Sequence, residues 1–322
     1  MTLPRFVATI VAIGIMVLSA GIVFGQNYPD KPIRVVTSAY GSGSDFVARL
    51  IAEELSTSLG KQLIVDNRGG SAVILAGIVA KAPPDGYTLL VFGSTFWLTP
   101  LMRDNPAYDP VRDFSPITLV VNSPSILVVH ASVPANSVKE LVALARAKPG
   151  VLNYGSGSNG APTHLSVELF KAMAGVDIVR IPYKGTGPAV NALIGGQVQL
   201  MITGPAAVAQ HVKSGRLRAL AVASAQPSVL TPGLPTVAAS GVPGYESAST
   251  GGVFAPAGTP AKIVNQLNQE IVRIINRADV KARFLNAGLE TVGNTPEQFA
   301  AMVKSDMAKW GKLIKDAGIR EE

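Results

Sequence analysis

From Ile33 onward, short aliphatic and β-branched runs alternate with longer stretches whose apolar residues recur at helical spacing. That alternation predicts an α/β fold built on mostly parallel sheets flanked by helices. The expected strands are Ile33–Thr37, Leu63–Asn67, Thr88–Gly93, Ile126–Val129, Leu152–Tyr154, Asp177–Pro182, Val198–Thr203 and Leu217–Ala223. The helices between them carry their own punctuation. Ser137 and Glu140 form a capping box, Pro149-Gly150 stops that helix, Pro188 suits a first helical turn, and Gly195 and Gly215 suit helix ends. Toward the C-terminus, Thr259-Pro260 opens a helix with Ile263, Leu267, Ile271 and Ile275 on one face. Thr295, Pro296 and Gln298 open another that runs through Trp310.

Two breaks in composition, Asn122-Ser123-Pro124 and the stretch from Pro235 to Gly244, interrupt the alternation. A chain that leaves one α/β lobe at the first break and returns at the second forms a two-lobed clamshell with both termini in one lobe. The expected division is a leader over residues 1–25, lobe 1 over 26–122 and 244–322, and lobe 2 over 123–243. A ligand cleft then lies where strand ends of the two lobes face each other.

The leader is read from Arg5 and the uncharged apolar run from Phe6 to Phe24, with cleavage near Gly25. At about the 20 residues a bilayer requires, the same run also suits an N-terminal membrane anchor. Composition narrows the class of the remainder. Apolar residues make up 48% of the chain, with Gly 32 and Pro 23, which is the profile of a well-cored globular protein. Cys 0 excludes disulfides, thiolate metal sites and a Cys nucleophile. The formal charge of +7 is scattered, with no Lys/Arg run or basic-aromatic stripe, so it argues against nucleic acid and for mild attraction of anions. His130, His164 and His211 have no metal-ligand spacing, and no metal site is expected.

Two segments repeat one design, a strand running into a Ser/Gly loop that opens a helix. In the first, Tyr40, Gly41, Ser42, Gly43, Ser44 and Asp45 follow Ile33–Thr37; in the second, Gly155, Ser156, Gly157, Ser158 and Asn159 continue to Thr163 and His164. Such a loop leaves backbone N–H groups free at a helix N-terminus, where the helix dipole is positive, so each suits a small anion. Two seats suggest one ligand held between two lobes. Gly41 and Gly43 permit close backbone approach, Ser42 and Ser44 add hydroxyls, and Asp45 reads as a first-turn acid that organises the loop. His164 reads as a satisfied structural histidine or as a donor to ligand.

The second loop also spells G-x-G-x-x-G through Gly155, Gly157 and Gly160, with Asp177 downstream, the pattern of a nicotinamide-dependent oxidoreductase. Pro162 just inside the helix, the mid-chain position, and Asp177 at the start rather than the end of its strand weigh against that alternative. Tyr183 offers an apolar wall with a polar tip and Lys184 a positive charge at the cleft mouth, against the plainer reading of a surface turn. Ser94 and Thr95 are hydroxyl candidates at a strand's C-terminal end. No G-x-S-x-G elbow, H-E-x-x-H or Walker loop occurs, and Asp66 and Asp85 stand beside turns that they organise. Binding without chemistry, and without a cofactor, is the economical inference.

Taken in order, YPDKPIRVV, LGKQLIVDNR, PDGYTLL, YDPVRDFSPITLV, KPGVLNYGSGSNGAPTHLSVELF, VRIPYKGTGPAVNALIGGQVQLM, VKSGRLRALAVAS, LPTVAASGVPGYE and FAPAGTPAKIV resemble the Bug-type periplasmic solute-binding receptors of tripartite tricarboxylate transporters. The resemblance runs from about Tyr28 to the C-terminal helix. It implies a type II periplasmic-binding fold, a monomer, a small carboxylate ligand and delivery to a membrane permease, or service to a sensor in its place. It also implies ligand contacts at loops matching Tyr40–Asp45 and Gly155–His164, with others near Ser94 and Tyr183. This chain departs from the pattern at Gly69 to Leu75, which is bulkier and more apolar, at Thr203 in place of an acid, and around Thr250-Gly251 in place of an aromatic. Those departures imply a more apolar or aromatic carboxylate.

Overall fold

The protein is described by a computed structural model covering residues 28–69 and 72–320. The expected leader lies outside the described residues. Sheet A has the strand order β11-β4-β10-β3-β1-β2 and sheet B the order β7-β6-β8-β5-β9. In sheet A the strands are β1 (Ile33–Thr37), β2 (Leu63–Asn67), β3 (Thr88–Gly93), β4 (Phe114–Pro124), β10 (Ala248–Pro256) and β11 (Glu290–Thr291). In sheet B they are β5 (Ile126–His130), β6 (Asn153–Ser156), β7 (Val179–Pro182), β8 (Leu200–Thr203) and β9 (Leu217–Val222). The eight strands expected from the pattern are all present, with ends shifted by no more than two residues.

Most strands within each sheet run the same way, as expected, but sheet A admits two opposed strands, β10 and the two-residue edge strand β11, and sheet B admits one, β5. β1 is parallel to β2 and β3, whereas β10 is antiparallel to β3 and β4; in sheet B, β6 is parallel to β7 and β8, whereas β5 is antiparallel to β8 and β9. β5 is the strand with which the chain enters sheet B and β10 the one with which it returns to sheet A. The long strands β4 and β10 were not expected, for physical reasons. Pro116 and Pro124 interrupt β4, while Gly251 and Gly252 sit at a register shift in β10.

The crossings are tied together by backbone. Ser125 joins β4 to β5 and accepts from the Ala223 amide at 2.7 Å, and Ala223 in turn accepts from the Ser247 amide at 2.8 Å. Helices cover both faces of sheet A. On one lie α1 (Gly43–Leu59) and α8 (Ala261–Ile275), whose Ile263, Leu267, Ile271 and Ile275 are buried as their spacing demands. On the other lie α2 (Ala72–Ala80), the short α3 (Thr95–Leu98) and α10 (Pro296–Asp316), whose Phe299, Trp310 and Ile314 join a core that also takes in Leu127, Leu165 and Phe170 of sheet B's layers. Thr295 and Gln298 close the expected capping box of α10. Sheet B carries α4 (Val138–Ala147), α5 (Pro162–Ala174), α6 (Thr186–Ile194) and α7 (Pro205–Lys213), and α9 (Ala278–Asn286) precedes β11.

Gly252 lets α10 lie directly on β10. A Cβ there would stand 2.3 Å from Phe299 Cζ and 3.0 Å from the Thr118 carbonyl oxygen. Gly252→Ala is therefore expected to lower stability by about 1–3 kcal/mol, the usual penalty of overpacking. Gly77→Ala in α2 meets open space and removes a helix-interior glycine, so it is expected to leave stability unchanged or raise it by up to about 1 kcal/mol. Paired urea denaturation curves of the two variants and the parent check both expectations.

Candidate functional site

β1 ends at Thr37, whose buried hydroxyl donates to the Val91 carbonyl at 2.9 Å and fixes the start of the first loop against β3. Ser42 is the N-cap of α1, accepting from the Asp45 amide at 3.1 Å and sharing a 2.6 Å hydrogen bond with Ser38 Oγ. Gly41 adopts φ +80°, a conformation a side chain would strain. Asp45 is buried beneath the loop, where its carboxylate accepts from the Gly41 amide at 2.9 Å, Asn67 Nδ2 at 2.7 Å and Arg49 Nε at 2.9 Å. Burial acts to raise its pKa, but the hydrogen bonds from Asn67, Gly41 and Arg49 prevail and hold it below the ordinary carboxylate value. Asp45 is thus the organising acid of the loop, ionised and neutralised by Arg49, whose guanidinium also lies 4.9 Å from the ring of the exposed Tyr40.

With Asp45 turned inward, the first-turn amides of Gly43 and Ser44 have no acceptor among the described residues. They open on a cavity of about 270 Å³. Its polar rim is Ser42, Gly43, Ser44, Ser123, Ser249 and Thr250; its walls are Val47, Val91, Phe92, Val121 and Leu289. No charged side chain lines it. Ser123 and Ser249 line this cavity without having been expected there, beside Thr250 and Gly251, which were singled out only as a departure from the family pattern. The run Ala-Ser-Thr-Gly-Gly at the start of β10 was the available signal, small and polar residues where bulky β-formers are usual.

The second loop is built differently, and the expectation of free amides there is corrected at two positions. The Gly157 amide donates to Thr163 Oγ1 at 3.0 Å and the Gly160 amide to His164 Nδ1 at 3.1 Å, so side chains of α5 take the donors its N-terminus would otherwise offer. Arg180 of β7 braces the loop from beneath, donating to Ser156 Oγ at 2.8 Å, Asn159 Oδ1 at 2.9 Å and the Gly157 carbonyl at 3.1 Å. Asn159 also donates through Nδ2 to the Arg320 carbonyl, which occupies its side chain at both ends. The amides of Ser158, Asn159 and Thr163 have no acceptor among the described residues. Gly155 is a packing residue: a Cβ would stand 3.2 Å from Val198 Cγ2. Asp177 precedes β7, at the sheet end away from the loop, where its carbonyl accepts from the Gly150 amide at 3.2 Å. The geometry of a ribose-binding acid is therefore not formed.

The cavity at the first loop takes in no residue of the second loop. Ser94 and Thr95 line a narrow seam of about 20 Å³ instead, against Pro162, Leu165 and Ser166 of α5 and Ser247 of the crossing segment. Ser94 is held there by its amide, which donates to the Thr250 carbonyl at 3.0 Å. Tyr183 is half-buried, with its amide on the Ser156 carbonyl at 2.9 Å, and Lys184 is exposed beside it. Thr203 is buried at the C-terminal end of β8, opposite Ile126.

His164 is the structural histidine of the two readings as far as Nδ1 is concerned, since that atom accepts from Gly160 and the ring proton sits on Nε2. Burial, then the nearby Arg180 charge, pushes its pKa down to about 4. A folded-state value below the unfolded one means that the unfolded chain binds the extra proton first, so stability is full above about pH 6.5 and is lost as pH falls toward about 4. The loss is expected to be on the order of 3 kcal/mol, and His164→Asn should remove this part of the pH dependence in thermal denaturation between those values. The fold has close counterparts. The chain matches the model of the tripartite tricarboxylate transporter family receptor over residues 47–319. It is 35% identical over 328 residues to Protein BugT of Bordetella pertussis, covering 99% of each chain. Among solved structures, an R. palustris protein with adipate is 38% identical with TM-score 0.74, covering 91% of this chain and 99% of that one. MatC of Rhodopseudomonas palustris, with bound malate, is 29% identical with TM-score 0.70, covering 89% of this chain and 100% of that one. These relatives are binding proteins rather than enzymes. The chain belongs to the family of tripartite tricarboxylate transporter receptors, periplasmic solute-binding proteins of the Bug type.

Proposed function

We propose that the chain captures a small carboxylate in the periplasm, between lobe 1 (residues 26–122 and 244–322) and lobe 2 (residues 123–243), and delivers it as a monomer to a membrane permease of the tripartite tricarboxylate type. The observation that carries this reading is the pair of unpartnered amides, Gly43 and Ser44, at the N-terminus of a 17-residue helix. They face an open-mouthed cavity free of competing charge. A carboxylate there gains hydrogen bonds and the positive end of the helix dipole without displacing a protein acceptor. The free amides of Ser158 and Asn159 supply donors from lobe 2, and Tyr183 and Lys184 flank them. Binding to both lobes stabilises the closed form by differential affinity, which is the state a permease distinguishes.

The walls indicate what lies behind the carboxylate. Val47, Val91, Phe92, Val121 and Leu289 bury an apolar body and offer a hydroxylated one no charged partner. The adipate-bound relative supports an unsubstituted alkyl chain over the hydroxylated spacer of malate. Isothermal titration is expected to show alkyl and aryl carboxylates binding at least about tenfold more tightly than malate or citrate, a difference of about 1.4 kcal/mol. A blank across the whole carboxylate panel overturns the reading. Gly43 is the first residue of α1, a position where proline is tolerated, so Gly43→Pro deletes one donor while keeping the helix. It should retain its melting temperature and lose about 1.5–3 kcal/mol of carboxylate affinity, the worth of a hydrogen bond to a charged group.

A further inference from the structure

The second Ser/Gly loop leans on lobe 1 through one of its own side chains. Asn159 is held at both ends: its Oδ1 accepts from Arg180 Nη1 of β7 at 2.9 Å, and its Nδ2 donates to the carbonyl of Arg320, beyond α10. Arg180 thereby fixes which end of the side-chain amide is the acceptor and leaves Nδ2 for the C-terminal tail. That tail is itself anchored, since Ile319 is buried in the core and its amide donates to the Ile314 carbonyl at 2.9 Å. The next loop residue also sits on lobe 1. A Cβ at Gly160 would stand 2.6 Å from Sδ of Met102, a buried residue in the turn after α3. One turn into α5, Ser166 instead meets the crossing segment, sharing a 2.6 Å hydrogen bond with Ser247 Oγ and accepting at its carbonyl from the Tyr245 hydroxyl at 2.9 Å. α5 is thus tied to the hinge by Ser166 and to lobe 1 by the loop at its start. β6, which delivers that loop, lies two strands from the hinge strand β5, about 10 Å at ordinary strand spacing. Hinge rotation breaks contacts at that distance from the axis and spares those on the crossing segment.

We propose that Asn159 is a positioning residue for ligand capture, a latch that forms when the lobes close and holds in place the loop bearing the open Ser158 and Asn159 amides. The inference rests on the reading that a carboxylate is captured between the lobes. One residue then serves both halves of the event: its backbone amide is an open donor, and its side chain spans from Arg180 in lobe 2 to the tail carbonyl of lobe 1. Ligand and latch favour the same closed state, so each strengthens the other.

Cys 0 makes the lobes simple to label. Spin labels enter through Lys81→Cys and Lys213→Cys, exposed positions on lobe 1 and lobe 2, and pulsed electron resonance measures their separation without ligand. Asn159→Asp keeps the acceptor for Arg180 and removes the donor to Arg320, whereas deletion of residues 320–322 removes the acceptor. In both, the ratio of open to closed molecules is expected to rise at least about threefold, the worth of one ordinary hydrogen bond, and saturating adipate to restore the parental distance. Asp104→Asn, which removes only the 3.9 Å contact between Arg320 and Asp104, should keep the parental distance throughout. Circular dichroism establishes that each variant is folded, and should one of the two latch variants not fold, the other decides. Unmoved distances in a folded latch variant, an equal shift in Asp104→Asn, or adipate that binds without restoring the distance overturns the latch. A parent blank to every carboxylate, with distances still shifted in the latch variants, supports the latch and counts against carboxylate capture instead.

Discussion

A buried carboxylate has to be supplied with donors, and the cleft face of the first lobe is arranged around that requirement. Asp45 draws on the Gly41 amide, the Asn67 side chain and Arg49. Each of these comes from a different place: the loop itself, the end of β2, and the next turn of α1. Satisfying one acid therefore locks the loop to its neighbouring strand and helix together. The remaining first-turn amides are then the ones left without an acceptor, so the open donors are a by-product of how the acid is satisfied.

The two Ser/Gly loops show how far one sequence design can diverge in physics. In the first, Ser42 caps the helix and the acid is internal, so the donors at Gly43 and Ser44 stay open. In the second, Thr163 and His164 reach back from α5 to take the Gly157 and Gly160 amides. Arg180 from the adjacent strand neutralises the loop's oxygens in place of a ligand. One seat is prepared by leaving donors unsatisfied, the other is mostly filled by the protein's own side chains. The asymmetry leaves more open backbone donors at the helix start of the first loop than side chains of α5 leave at Gly157 and Gly160.

Much of this was legible in the chain, for reasons that can be named. Strands such as Leu63–Asn67 and Thr88–Gly93 are short aliphatic runs bounded by turn residues, and the helix from Ala261 has four isoleucine or leucine positions on one stripe. The capping box at Thr295 is a local signal with a local consequence. What escaped was non-local. β4 and β10 carry proline, paired glycines and small polar residues because they must bend and bulge where the chain changes lobes, and those residues mimic loops. The fate of the Gly157 amide depended on a threonine one loop away, and that of Asp45 on an asparagine at the end of another strand. Neither pairing has a signature in spacing.

The register shift between Gly251 and Gly252 sets two β4 residues, Val120 and Val121, into the same core under α1, while Leu119 packs on the other side. Parity along β4 beyond that point is counted from the shift. Removing one residue between Leu119 and Ser123 would restore simple alternation upstream and exchange the inner and outer assignments of the polar residues downstream, Asn122 for Ser123. The number of residues in this short span is thus as constrained as their identity. In a protein whose loops can absorb insertions, the hinge is a place where chain length itself carries structural information.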